Sequence, residues 1–277
     1  MRIAVSNIAW DPAEDPAMAA LFAKYSVNAV DIAPAKYFPD PVNATSSEID
    51  AVRARWAEWG IAITGMQALL FGSTGLNVFG TKEVRRALLE RLTAVCRIGA
   101  GLRAPRLVFG SPKNRDRSGC DDAATLEIAV DFFRELGAIS SEHGVWICLE
   151  PNPPRYGANF MTNSAETAGI VAAVGHPAIK MQLDTGALTI NREDPQQVVE
   201  SFGKWVGHVH ASEPDLVPLG DGGTDHALIG RLLAQKLPEQ VVTIEMVATK
   251  DEPHLISVER AVQVAARNYR SAGLEPS

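Results

Sequence analysis

VWICLE (145–150), KMQLD (180–184), GHVH (207–210) and VVTIE (241–245) are the four segments that decide the fold of this chain. Each segment is largely apolar and ends in an ionisable residue. Apolar runs of this length are typical of parallel strands that are buried on both faces. The four ends are separated by 34, 26 and 35 residues, which is close to the length of one βα unit. We therefore predict four consecutive strands of one parallel sheet.

The same alternation extends outward over the whole chain. The predicted strands are Ile3–Ser6, Ala29–Ile32, Ile61–Met66, Arg106–Phe109, Val145–Leu149, Ile179–Leu183, Trp205–Val209 and Val241–Ile244. The predicted amphipathic helices are Pro16–Lys24, Ser47–Trp59, Lys82–Ile98, Asp122–Glu142, Ser164–Val174, Pro195–Phe202, Asp225–Gln235 and Pro253–Tyr269. Asn163 precedes a helix as a capping residue does, and Asp194-Pro195 places proline at the first position of another helix. Gly60 and Gly144 stand where helices end before strands.

These units predict a single (β/α)8 barrel, a TIM barrel, that forms one domain over residues 1–277. A doubly wound sheet is the structural alternative, but its first strand usually leads into G-x-G-x-x-G. Here the first strand leads into Asn7-Ile8-Ala9-Trp10 instead. The sequence offers neither a flexible linker nor a low-complexity segment at which the chain would divide.

Composition excludes several classes of function. There are 26 Lys and Arg against 33 Asp and Glu, a net charge of −7, so nucleic acid is not an expected partner. No apolar run approaches the roughly 18 residues that span a bilayer, and the N-terminal residues do not resemble a signal peptide, so no membrane association is expected. Three widely spaced cysteines favour a reducing compartment, and we expect a cytoplasmic protein.

The carboxyl ends of the last four strands carry Glu150, Asp184, His210 and Glu245. In a barrel these ends meet at one face, so three carboxylates and one imidazole converge. Three crowded carboxylates repel one another unless they are protonated or bind a cation. This donor set suits one divalent ion such as Mn²⁺, Mg²⁺ or Co²⁺. His208 lies on the same side of its strand as His210, and we interpret it as a packed barrel residue rather than a second ligand.

These four residues and their strand contexts resemble the metal site of the xylose-isomerase-like sugar isomerase and epimerase superfamily, in particular its ketose 3-epimerase branch. Glu213 and the glycine-rich segment 218–222 resemble the loop that follows strand seven in that family. The resemblance implies one divalent ion held by the four residues and bound to two adjacent sugar oxygens. It also implies that Glu150 and Glu245 are catalytic and transfer a proton on opposite faces of one carbon.

Two positions depart from the ketose epimerases. Those enzymes usually have His where this chain has Ala187, and Arg where it has Leu216. Both side chains contact substrate oxygens in the family. The resemblance therefore covers the metal site better than it covers the rest of the substrate site.

Other polar residues near strand ends are candidates for substrate binding. The segment Ser111–Arg117 carries three cations and could bind a phosphate or carboxylate, or could be a solvated loop. The segment Arg155–Phe160 is predicted to lie over the mouth as a lid. The substrate-binding candidates are Lys36, Gln67, Lys113, Arg115, Asn152, Gln182 and Glu213.

The leading hypothesis is a divalent-metal-dependent isomerase or epimerase that acts on a carbohydrate, which could be anionic. A carbon acid beside a carbonyl needs a base over its C–H bond and positive charge at the developing enolate oxygen. The alternative is a dehydratase that acts on a keto-inositol or related keto-sugar through the same site. A zinc-dependent nuclease of this fold is disfavoured by six histidines and the negative charge. A sugar-binding barrel without activity is a further alternative, and barrels of this family often pair, so a homodimer is possible.

Overall fold

The computed structural model describes residues 1–270, in which eight parallel strands close into a barrel. Each strand pairs with the next along the chain, and the first pairs with the last. The strands are β1 Arg2–Ser6, β2 Ala29–Ile32, β3 Ala62–Met66, β4 Arg106–Phe109, β5 Trp146–Leu149, β6 Ile179–Asp184, β7 Val206–Ser212 and β8 Val241–Glu245. The predicted TIM barrel is therefore confirmed.

Helices cover the outside of the barrel. They are α1 Asp15–Lys24, α2 Ser46–Glu58, α3 Lys82–Leu102, α4 Asp122–Glu142, α5 Ser164–Val174, α6 Thr185–Asn191, α7 Pro195–Phe202, α8 His226–Lys236 and α9 His254–Tyr269. The predicted cap at Asn163 is confirmed, because its side chain accepts a hydrogen bond from the first turn of α5, and α7 begins at Pro195 as predicted. The Asp194 side chain also accepts a hydrogen bond from the first turn of α7. Gly60 and Gly144 adopt the left-handed conformation, with φ of 70° and 65°.

Two features of the chain near β6 and β7 differ from the sequence prediction. Helix α6 was not predicted, and it begins because the Asp184 side chain accepts a hydrogen bond from Ala187 N at 2.6 Å. Strand β7 continues to Ser212 instead of ending at Val209. Its alternation places His208, His210 and Ser212 on the inner side of the barrel, so the extra residues become part of the site.

The main hydrophobic core lies between the strands and the surrounding helices, where side chains such as Phe22, Trp56, Leu92 and Phe133 are fully buried. This core fixes the helices against the barrel and leaves the carboxyl ends of the strands free to carry polar groups. Within residues 1–270, no helix is long and apolar enough to cross a membrane.

Candidate metal centre

The four predicted ligands converge at the carboxyl end of the barrel. Glu150, Asp184, His210 and Glu245 each offer one ligand atom, and these atoms lie within 4.8 Å of one another. His210 Nδ1 is 3.3 Å from Glu150 Oε1 and 3.2 Å from Glu245 Oε2. His210 is fully buried, and Asp184 and Glu245 are 7% and 9% exposed. The four side chains therefore form a narrow, largely buried cluster.

The Asp184 carboxylate accepts one hydrogen bond from the first turn of α6 and one from the neighbouring strand β7. Its Oδ1 accepts the hydrogen bond from Ala187 N, and its Oδ2 accepts one from Ser212 Oγ at 2.6 Å. Ser212 Oγ in turn accepts a hydrogen bond from Gly186 N at 2.9 Å. Sequence reasoning missed Ser212, although it continues the every-second-residue pattern of His208 and His210.

The crowded, buried carboxylates of the cluster favour binding of a cation. Burial, together with the charges of Glu245 and Glu150, raises the pKa of Asp184 to about 7. Burial lowers the pKa of His210, but the same two carboxylates outweigh it and raise that pKa well above its ordinary value. Without a cation the site therefore stores protons that a divalent ion would displace.

Unpartnered atoms give an independent test of fit. Among the described residues, Glu150 Oε1 and both ring nitrogens of His210 have no hydrogen-bond partner although they are buried. Buried polar atoms without partners are costly unless a ligand binds them. Three carboxylates and an imidazole are donors for a divalent ion such as Mn²⁺, Mg²⁺ or Co²⁺. The residues present therefore fit the predicted ion.

Two amides hold the glutamates. Gln67 Nε2 donates to Glu245 Oε1 at 2.6 Å, and Asn152 Nδ2 lies 3.3 Å from Glu150 Oε2. Each glutamate thus has one oxygen beside an amide and the other beside His210. These contacts place Gln67 and Asn152, both predicted to bind substrate, directly against the predicted catalytic carboxylates.

Gly110, the residue after β4, makes room for Glu150. A methyl group on Gly110 would overlap Glu150 Oε2. Sequence reasoning missed this glycine, although a glycine directly after a strand end signals close approach of another group.

Arg115 lies beneath the site rather than at its mouth. It is 1% exposed, and its guanidinium donates to the backbone oxygen of Glu150 at 2.7 Å. Burial lowers its pKa to about 10, and the charge of Glu150 acts in the opposite direction. The three predicted cations have different surroundings: Arg115 is buried, Arg117 pairs with Asp122 at the surface, and Lys113 lines a cavity at the site. Anion binding by this segment stays a prediction.

His208 supports the site from below, as the interpretation of it as a packed residue predicts. Its Nε2 lies 2.6 Å from Asp31 Oδ2, and Asp31 also accepts hydrogen bonds from Thr64 and Thr243 at 2.8 Å each. Burial raises the pKa of Asp31, but His208 and the two threonines outweigh it and lower the pKa to about 2. Asp31, His208 and His210 also cluster closely. Because the Asp31 oxygens already accept these hydrogen bonds, we assign this group a supporting role.

Two cavities meet at the site. One has a volume of 260 Å³ and the other of 390 Å³, and Glu150, Glu245 and Leu216 line both. The first cavity also contacts Gln67 and Lys113, and the second contacts Asn152 and Ala187. A ligand bound at the four-residue cluster can therefore extend to either side of Leu216.

The other predicted substrate residues are placed differently. Lys36 Nζ donates to the carbonyl oxygens of Asn7 and Trp10. Gln182 is fully buried, and neither of its amide atoms has a partner within residues 1–270. Glu213 is 1% exposed and accepts hydrogen bonds from loop residues that follow it, namely Gly220, Thr224 and His226.

The predicted lid segment contacts the loop after β7. Arg155 binds the carboxylate of Asp215 at 2.8 Å, and Tyr156 Oη accepts a hydrogen bond from Asp215 N at 2.7 Å. Phe160, at the other end of the segment, is 2% exposed and packs against Phe79 with ring centroids 4.9 Å apart. The segment is therefore anchored at both ends beside the second cavity, and sequence reasoning did not anticipate the Arg155–Asp215 contact.

Comparisons with known proteins agree with this fold. A family model described as xylose isomerase-like TIM barrel matches residues 19–267. D-psicose 3-epimerase from Ruminiclostridium cellulolyticum is 30% identical over 115 residues, which are 41% of this chain and 39% of that relative. The sequence match thus spans about two fifths of the curated relative.

Solved structures share the fold over nearly the whole chain. D-psicose 3-epimerase from Clostridium cellulolyticum H10, solved with D-tagatose, has a TM-score of 0.81 at 19% identity and covers 97% of this chain and 99% of its own. The 3-keto-D-glucoside 4-epimerase from E. coli has a TM-score of 0.77 at 16% identity and covers 95% and 99%. By the extent of the family match and by its closed barrel, this chain belongs to the xylose isomerase-like TIM barrel family.

Proposed function

We propose that the protein is a divalent-metal-dependent sugar epimerase in which Glu150 and Glu245 transfer a proton at a carbon beside a carbonyl. The observation that carries the proposal is the cluster of three carboxylates and one imidazole within 4.8 Å. The partial sequence match to D-psicose 3-epimerase supports it, since that relative is named for epimerisation of a ketose.

The ion would be held by Glu150, Asp184, His210 and Glu245, and when bound it would supply positive charge where the enolate oxygen develops. Glu150 directly follows β5, and Glu245 is the last residue of β8. Each of the two glutamates lines both cavities. One carboxylate removes the proton and the other returns a proton to the opposite face, which inverts the carbon. Return to the neighbouring carbon would give isomerisation instead.

The surrounding residues support this role. Gln67 fixes Glu245 Oε1, and Asn152 lies beside Glu150 Oε2, so the remaining oxygen of each glutamate is directed toward the centre of the site. A base must be positioned before it can act, and these amides restrict both side chains. Four points stay predictions: the choice among Mn²⁺, Mg²⁺ and Co²⁺, an anionic group on the sugar, a homodimer and a cytoplasmic location.

Solvent deuterium exchange tests the proposal. Metal-loaded protein in D₂O with D-fructose or D-tagatose should incorporate deuterium at the carbon beside the carbonyl, measured by NMR. Glu150→Gln and Glu245→Gln should each reduce the exchange rate by about a thousandfold or more, because each removes a group that transfers the proton. Glu127→Gln, on the exposed face of α4, is the matched control and should keep the wild-type rate.

Wild-type exchange in either active-site variant would refute the two-glutamate mechanism. The dehydratase alternative predicts a different product. With a keto-inositol, dehydration would create an enone that absorbs in the ultraviolet, and epimerisation would not.

A further inference from the structure

The rim of the first cavity is largely apolar. The loop after β3 carries Leu69, Leu70 and Phe71, of which the two leucines are buried and Phe71 is 72% exposed. An exposed aromatic ring beside a cavity contributes little to packing of the fold. Its position at the rim suits contact with a ligand.

The hydrogen-bonding side chains of this cavity are Gln67, Ser111, Lys113 and the two glutamates, and the rest of its lining is apolar apart from backbone. The Gln67 Nε2 group already donates to Glu245, so of this amide only Oε1 is left without a partner. Leu216, at the junction with the second cavity, adds another apolar surface. A row of sugar hydroxyls buried here would lose its hydrogen bonds to water without equivalent replacements.

We propose that the substrate is a sugar bearing a large apolar substituent, an aryl group or a longer alkyl chain, which this cavity receives. The proposal rests on the proposed function and names the class of substrate. We call the receiving surface the apolar lobe, and its residues are Ile8, Leu69, Leu70, Phe71, Val108 and Leu216.

Continuity with the metal centre makes the lobe reachable by the same molecule. Glu150 and Glu245 line the lobe's inner end, so a sugar held between them can place a substituent directly against Leu70 and Phe71. The volume of 260 Å³ is sufficient for a ring-sized group beside the reacting sugar. Burial of apolar area then favours the substituted sugar over the unsubstituted one.

A matched pair of substrates tests the inference. Phenyl and methyl 3-keto-β-D-glucopyranoside share the reacting sugar and differ only in the substituent. We expect kcat/KM for deuterium exchange to favour the phenyl compound by about tenfold or more, and Kd from calorimetry to show the same preference. Phe71→Ala should remove most of that preference. Leu126→Ala, an exposed leucine on α4, should retain it.

The outcomes separate the two proposals. Equal kcat/KM and Kd for the two compounds, or an unchanged preference in Phe71→Ala, would overturn the apolar lobe and leave the epimerase intact. Absence of exchange with both compounds and with D-fructose would overturn the proposed function. The calorimetric preference would then still decide whether the lobe binds an apolar group.

Discussion

At the scale of single residues, the sequence identifies the candidate metal ligands better than the residues that support them. Glu150 and Asp184 stand out because each is an ionisable residue at the end of an apolar strand. Arg115 was a substrate-binding candidate in a segment that could also be a solvated loop, yet it is buried and donates to the backbone oxygen of Glu150. Its position depends on how the loop after β4 turns inward, which short-range sequence patterns do not encode.

Gly110→Ala should damage the site and spare the fold. The added methyl group would overlap Glu150 Oε2, which lies at the flexible end of a side chain and can move. We expect the free energy of unfolding without metal to change by less than about 1 kcal/mol. Divalent-ion affinity measured by calorimetry should fall by about 10- to 100-fold. Unchanged affinity would show that Glu150 is not held where the structure places it.

Gln67→Leu should show whether the hydrogen bond from Gln67 lowers the pKa of Glu245. Burial raises the pKa of Glu245, but the nearby charge of His210 and the hydrogen bond from Gln67 outweigh it and lower that pKa. Removing the Gln67 donor should raise the pKa, so the acid limb of the pH dependence of kcat should move to higher pH. We expect kcat near neutral pH to fall by about tenfold.

A change in KM alone, with the acid limb unmoved, would contradict this prediction. It would indicate that Gln67 contacts substrate and does not position Glu245.

At the scale of elements, the strands were predictable and the loops were not. A strand is defined by a local run of apolar residues, as in the segment before Glu150. The loop after β7 is defined instead by the buried carboxylate of Glu213, which accepts hydrogen bonds from residues seven to thirteen positions away. Helix α6 was missed for a related reason, because Asp184 ends a strand and caps a helix at once.

The Glu213 contacts should make the protein sensitive to acid. Burial raises the pKa of Glu213, but hydrogen bonds from His226, Thr224 and Gly220 outweigh it and lower the pKa from 4.5 to about 2. Because the pKa of Glu213 is lower in the folded protein than in the unfolded chain, the ionised carboxylate stabilises the fold above about pH 4.5. This stabilisation is lost as the pH falls toward 2. We expect this contribution to be about 1 to 3 kcal/mol at neutral pH.

Urea unfolding of the wild type and Glu213→Gln between pH 7 and pH 3 measures this contribution. The difference between the two proteins should be constant near neutral pH and should narrow below about pH 4.5. A difference independent of pH would mean that the carboxylate charge of Glu213 does not stabilise the loop.

At the scale of the whole molecule, the barrel brings together side chains that are distant in sequence. Length and repeat spacing were enough to predict eight βα units and their common active face. The apolar lobe was not predictable, since Phe71 and Leu216 come from loops on different parts of the chain and meet only at the mouth.

Ion binding should stabilise the entire fold, because the ligands come from four strands that separate on unfolding. A divalent ion at 100 times its Kd should raise the free energy of unfolding by about 2.7 kcal/mol, measured as a shift in Tm. Asp184→Asn should lose most of this shift, whereas Asp131→Asn, exposed on α4, should retain it. An equal shift in all three proteins would place the ion elsewhere.

Anomalous diffraction at the manganese edge, from crystals grown with Mn²⁺, tests the central claim most directly. We predict one strong peak about 2.2 Å from donor atoms of Glu150, Asp184, His210 and Glu245. A crystal with full access to Mn²⁺ and no peak among these four residues would contradict the account.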